Sequence, residues 1–234
     1  MRIVFFLIAL LILTSAEGVY ANTTHKHAST KHSATKHAHS ARRPTHHASA
    51  STHKAPPLSI TPDDLVGFDD YPRDVKKLIT DALALADQHL PYRFGSTDPS
   101  VGLDCSGAIS YLLKESEVDD VPRQADQIYQ WAWENGQFSA VNSKRISSFE
   151  FAKLKPGDLL FWSGTYPVQR DTDVTHVMMY IGRDKDNRPL MFGATSNRVY
   201  QGKPDGVGVF SFNMPSGRTK ARFLGYACVP HLNC

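Results

Sequence analysis

The chain has 234 residues, and its 26 Lys and Arg against 23 Asp and Glu leave a formal charge of +3. The charge is unevenly placed: residues 22–57 carry six basic residues and no acid, whereas residues 58–234 carry 19 basic and 22 acidic residues. A mildly acidic body offers no basic face for nucleic acid, and no apolar run reaches the about 18 to 20 residues needed to span a membrane.

Met1-Arg2 is followed by "IVFFLIALLIL" over residues 3–13 and then by small residues. This is the layout of a secretory signal peptide, expected over residues 1–21. Val19 and Ala21 suit the −3 and −1 positions of a cleavage after Ala21, with Ala16 as a second option; the alternative is an uncleaved anchor. No cysteine follows the apolar run, which argues against a lipidated N-terminus. Residues 22–57 form a tail without aromatic residues, containing "KHAST", "KHSAT" and "KHAHS" and eight of the eleven histidines. Such a composition buries too little to offset chain entropy, so a disordered linker is expected, with a reach of roughly 35 Å. It reads as a plain spacer, as a weak electrostatic contact with an anionic envelope surface, or as a histidine cluster responsive to metal or pH.

One domain is expected over residues 58–234. In "YPRDVKKLITDALALADQHL", Val75, Leu78, Ile79, Ala82, Leu83, Leu85 and Ala86 share one helical face. A turn-rich approach over 91–103 leads to "DCSGAISYLLKE", where Ala108, Ile109, Leu112 and Leu113 face one way and Asp104 is suited to cap. A third helix is expected over 123–134. After Lys155-Pro156-Gly157-Asp158 the pattern turns to short strands: "LLFW", "HVMMYI", "LMFGAT", "VGVFSF" and "FLGYACV". Helices first and strands afterwards predict an α+β fold with an antiparallel sheet. The two C-terminal cysteines, Cys228 and Cys234, either pair across a short loop or leave Cys228 buried and Cys234 frayed; export favours pairing.

Cys105 then stands as a free thiol in the first turn of its helix, where unpaired N–H groups favour thiolate over thiol. Its position is expected to be an exposed cap, and its own N–H is suited to hold an oxyanion. Asp104 opposes thiolate formation and must be engaged as a cap or by a cation. A thiolate enzyme needs a base, and outside the tail only His89, His176 and His231 remain. His89 closes the first helix and His231 lies near the end, so His176, leading the apolar strand "HVMMYI", is the candidate.

The segments "PYRFGSTDPSVGLDCSGAISYL", "VPRQADQ", "LKPGDLLFW" and "THVMMYIG", in this order, resemble the NlpC-type papain-like cysteine peptidases of bacterial cell walls. The resemblance implies a papain-like fold in which N-terminal helices, with the cysteine helix among them, pack on an antiparallel sheet carrying the histidine. It implies an exported enzyme of the periplasm or cell envelope that hydrolyses peptidoglycan stem peptides, between D-γ-glutamyl and meso-diaminopimelyl residues. Cys105 maps onto the nucleophile and His176 onto the base. Tyr92 maps onto a tyrosine beside the cysteine, and Asp104 and Ser106 onto positions that bind the amine of the stem's L-alanine. The chain departs from the pattern at Gly193, where many members carry a third polar residue that orients the base. Thr195, Ser196 or Asn197 then has to serve, with Asn197 preferred, or a backbone carbonyl. The paired glycines of the family become Gly95-Ser96, and the insert "SGTYPVQRDTDVT" over 163–175 is expected to line a specificity wall. Neither metal nor cofactor is expected, and the protein reads as a monomer. Two other readings keep the fold: an amidase cutting the lactyl–L-alanine bond, and a non-catalytic wall-binding protein.

Overall fold

The computed structural model describes residues 60–135, 138–196, 205–232 and Cys234. The signal sequence expected over 1–21 and the tail expected over 22–57 lie outside the described residues. Helix α1 (Arg73–Asp87) buries Val75, Leu78, Ile79, Ala82, Leu83, Leu85 and Ala86, the same seven residues whose spacing predicts its apolar face. Helix α2 (Cys105–Glu115) starts at the Asp104 cap. Helix α3 (Ala125–Glu134) begins two residues later than expected, so Arg123 is not helical. It is free to reach back toward α2.

Six strands follow: β1 (Phe138–Ala140), β2 (Leu159–Ser163), β3 (Val174–Arg183), β4 (Pro189–Thr195), β5 (Gly206–Ser211) and β6 (Arg222–Ala227). They form one sheet in the order β1-β6-β2-β3-β4-β5, every neighbouring pair antiparallel. The α+β arrangement is the expected one. β1 was not expected; three residues, "FSA", are too few for a period of two to show.

β3 lies inside the sheet, between β2 and β4. Val177, Met179 and Ile181 point into the core shared with the helices, among Leu78, Ile109, Leu113 and Ile128. Met178 and Tyr180 point the other way, into a second core with Trp162, Met191, Phe210, Phe212, Phe223 and Tyr226, closed by Val141 and Phe151. With both faces covered, the strands carry apolar residues at successive positions rather than alternating ones. β2 and β3 are in register through Trp162 and His176, after which a bulge shifts Ser163 onto Val174. The bulge loosens the ladder at the end of the sheet nearest α2. Cys228, just beyond β6, is bonded to Cys234, which leaves Cys105 as the free cysteine.

The aromatic packing of the second core gives a stability test. Phe212 is fully buried, and its ring meets those of Phe223 at 5.3 Å and Trp162 at 6.0 Å. Phe212→Ala is expected to cost about 3–5 kcal/mol in chemical denaturation.

Candidate active site

Two stretches meet at the start of α2. Tyr92 and Leu103 form a parallel bridge, with Arg93 N donating to the Leu103 carbonyl at 3.0 Å and Leu103 N to the Pro91 carbonyl at 3.1 Å. The loop between them turns back so that Gly95 N donates to Asp104 Oδ2 at 2.8 Å. On the other side of that carboxylate, Oδ1 accepts from Gly107 N at 2.6 Å and from Ser106 Oγ at 3.4 Å. Gly107 has to be glycine, because a Cβ there would run into the Ser96 carbonyl oxygen.

Asp104 is 6% exposed, and its cation is Arg123. The guanidinium donates to Asp104 Oδ2 at 2.8 Å, to Ser106 Oγ at 2.8 Å and to the Ser96 carbonyl at 3.2 Å. One arginine thus holds Asp104, Ser106 and the Gly95-Ser96 turn together. The sequence pattern quotes Arg123 within "VPRQADQ" but gives it no task; the need of Asp104 for a cation was the signal that could have found it.

Cys105 follows the cap, but it is not the exposed residue expected: it is 5% exposed. Burial pushes its thiol up to about 11, the charge of Asp104 adds to this, and backbone N–H groups of Val177 and Ser106 together with Arg123 pull it back only in part. Loss of solvent thus opposes the thiolate that the helix terminus favours. The N–H of Val177 facing the sulfur brings the edge of β3 against α2. Its neighbour His176 is half-buried, with its ring centroid 5.6 Å from that of Trp162. The Tyr92 hydroxyl is also pushed up, first by burial and then by Cys105 and Asp104, so it shares the same enclosure.

Gly193 lies in β4 on the side occupied by Met178. A Cβ on Gly193 would run into the Met178 sulfur, so the thioether fills the space beside the strand where a larger residue was expected to orient the base. Thr195 is buried at the end of β4 and Ser196 follows it, exposed. Asn197 lies outside the described residues. His89 and His231 are both exposed, away from Cys105 in sequence and in burial class. Trp131 is half-buried and Trp133 exposed on α3, against Tyr129 and Phe138, as residues at the rim of a core.

The insert after β2 contributes two residues that sequence reasoning did not single out. Arg170 forms an ion pair with Asp126 of α3 at 3.1 Å and donates to the Val174 carbonyl. It also lies near Tyr166, whose hydroxyl is pushed up first by burial, pulled back by Arg170 and pushed up again by the charge of Cys105. Two surface hollows, of about 250 and 380 Å³, lie beside residues 143–154, and neither includes a residue of this cluster. Among the described residues, no group of three or more His, Cys, Asp or Glu is placed to hold a metal ion.

A buried free thiol at a helix N-terminus, beside a strand that carries a histidine near its start, defines the class of a papain-like thiol site, and the sequence comparisons give the family. The NlpC/P60 family model matches residues 89–207, just over half of the chain, and the chain belongs to that family. It is similar to the gamma-DL-glutamyl hydrolase of Bacillus subtilis (strain 168), 34% identical over 93 residues, covering 40% of this chain and 18% of that protein. It is also similar to the murein DD-endopeptidase MepH of Escherichia coli (strain K12), 30% identical over 95 residues, covering 41% of this chain and 29% of that protein. A solved NLP/P60-family structure from Staphylococcus aureus subsp. aureus Mu50, described as similar to lipoprotein, aligns with a TM-score of 0.45 and 23% identity, over 69% of this chain and 43% of that one. The chain thus spans less than a third of the length of either curated relative.

Two measurements check this geometry. Alkylation of Cys105 by iodoacetamide is expected to be slow near neutrality and to climb as pH rises toward about 11; a plateau at acidic pH would show a resting thiolate instead. Gly193→Ser is expected to cost about 1–3 kcal/mol through overpacking, and Met178→Ala in the same chain to cost less than it does alone. Additive penalties would mean that the two side chains do not share one space.

Proposed function

We propose that the chain is an exported cysteine endopeptidase that hydrolyses peptidoglycan stem peptides at the D-γ-glutamyl–meso-diaminopimelyl bond. The observation that carries this reading is the free Cys105 thiol at the start of α2, set against the His176–Val177 edge of β3 within the family segment. That the Bacillus subtilis relative is a gamma-DL-glutamyl hydrolase supports a γ-glutamyl bond, and that the Escherichia coli relative is a murein endopeptidase supports a wall substrate. Residues 1–21 would direct export to the periplasm or envelope and 22–57 would tether the domain.

In this reading Cys105 loses its proton to His176 as its sulfur attacks the amide carbon, since a thiol near 11 does not ionise on its own at neutral pH. Backbone N–H groups of the first turn of α2, which have no partner within the helix, hold the oxyanion. The tetrahedral species collapses, the C–N bond breaks and His176 returns the proton to the leaving amine. Water, deprotonated by His176, then attacks the thioester, releasing the new carboxylate and restoring the thiol. Tyr92 lines the reacting end. Asp104 and Ser106 are held by Arg123, so the stem's L-alanine ammonium would share the carboxylate with the guanidinium instead of meeting a free one. The third residue is assigned to Asn197 or to a backbone carbonyl.

A second reading, a non-catalytic wall-binding protein, is favoured by the thioether beside Gly193 and by the burial of the thiol. The full chain and its Cys105→Ala variant, each incubated with muropeptides, separate the two by mass spectrometry. The peptidase reading expects cleavage at the γ-D-glutamyl–diaminopimelyl bond, reduced at least about 1,000-fold in the variant. Release of intact stems would indicate the amidase, and wall binding with no product would indicate the binding protein.

A further inference from the structure

Phe94 is 71% exposed, a large apolar side chain standing on the loop that leads to the cysteine helix. Its ring meets that of Tyr166, from the insert after β2, edge to face at 5.6 Å and 89°. The two loops carrying these rings are separate pieces of chain, and each brings a tyrosine, Tyr92 or Tyr166, within electrostatic reach of Cys105. On one side, Phe94 sits between Tyr92, within electrostatic reach of Cys105, and Gly95, bonded to Asp104. On the other, Tyr166 is next to Thr165, whose N–H and hydroxyl both bond Thr175 Oγ1, at 3.0 and 2.7 Å.

The two sides are not equally fixed. Arg170 pins the insert through Asp126, the Val174 carbonyl and the Tyr166 hydroxyl, with Gln124 Oε1 at 3.4 Å. The backbone beside Phe94 is held through Arg93 N and Gly95 N, but its exposed ring is given only the contact with Tyr166, and a single aromatic pair is weak enough for the side chain to swing away. The rings therefore make a bridge over the approach to a thiol that is 5% exposed, stiff on the Tyr166 side and yielding on the Phe94 side.

We infer that Phe94 and Tyr166 are the specificity-determining pair of this site: their bridge admits a single, uncrosslinked stem peptide and rejects one bearing a second stem beside the scissile bond. The inference rests on the peptidase reading for its substrate, but the bridge itself is measurable without turnover. A slender stem can displace Phe94 alone, whereas a crosslinked pair needs the pinned insert to move as well.

The test compares the full chain with Phe94→Ala, Tyr166→Ala and Tyr166→Phe. Labelling of Cys105 is followed with iodoacetamide and with a bulky fluorescent maleimide at one pH, and cleavage with monomeric and crosslinked dimeric muropeptides. A change in thiol ionisation alters both reagents alike, so their rate ratio reports access. Phe94→Ala and Tyr166→Ala are expected to raise the bulky-to-small labelling ratio about tenfold and the dimer-to-monomer cleavage ratio with it, while Tyr166→Phe, which keeps the ring, leaves both near wild type. An unchanged labelling ratio in both alanine variants overturns the bridge. A raised labelling ratio with dimer and monomer cleaved in unchanged proportion overturns the assigned specificity. If no form cleaves either substrate, the peptidase reading falls and takes the substrate assignment with it, while the labelling ratio still decides the bridge.

Discussion

Asp104 is a carboxylate taken almost wholly out of water, a placement that proteins tolerate only when the charge and the lone pairs are both met. Here a guanidinium meets the charge, and two backbone N–H groups and a hydroxyl meet the rest. The donors come from three pieces of chain: the loop before α2, the first turn of α2, and the segment leading into α3. The carboxylate thereby fixes the start of the cysteine helix, closes the Gly95-Ser96 turn over it and sets how far α3 stands away.

Burial around Cys105 works against the chemistry expected of it and also shapes it. An exposed thiolate would be reactive toward any electrophile; a neutral thiol behind tyrosines reacts only when a partner takes its proton. Arg123 is important to this balance, because it offsets the adjacent carboxylate without donating to the sulfur, so the site avoids both an unpaired anion and a permanently ionised nucleophile. In the proposed mechanism the proton moves only when His176 and a substrate carbonyl are both in place.

Much of the fold was legible in the residues. The apolar spacing of α1 names its buried face completely, and the change from helical to strand period after Pro156-Gly157 marks where β2 begins. The Asp104 cap and the place of Cys105 just after it could be read because cap chemistry is local, whereas β3 begins two residues before His176, the residue expected to lead it. What could not be read is set by contacts distant in sequence. Arg123 reaches Asp104 across 19 positions, Arg170 reaches α3 from an insert, and Met178 takes the space beside Gly193 from a neighbouring strand. Periodicity says which face a residue shares; it does not say what stands opposite. The burial of Cys105 was missed for the same reason, since the groups that enclose it, Tyr92, Tyr166 and the β3 edge, come from three separate segments.

The bond between Cys228 and Cys234 implies that the chain meets an oxidant, and Cys105 meets the same oxidant. With its only two possible partners already joined at the far end of β6, Cys105 has no second thiol within its own chain to form a bridge with. Exchange and oxidation both proceed through thiolate, and a buried neutral sulfur presents very little of it. The enclosure that keeps water from the Cys105 sulfur thus also keeps an oxidant from it, so the fold itself shields its free cysteine.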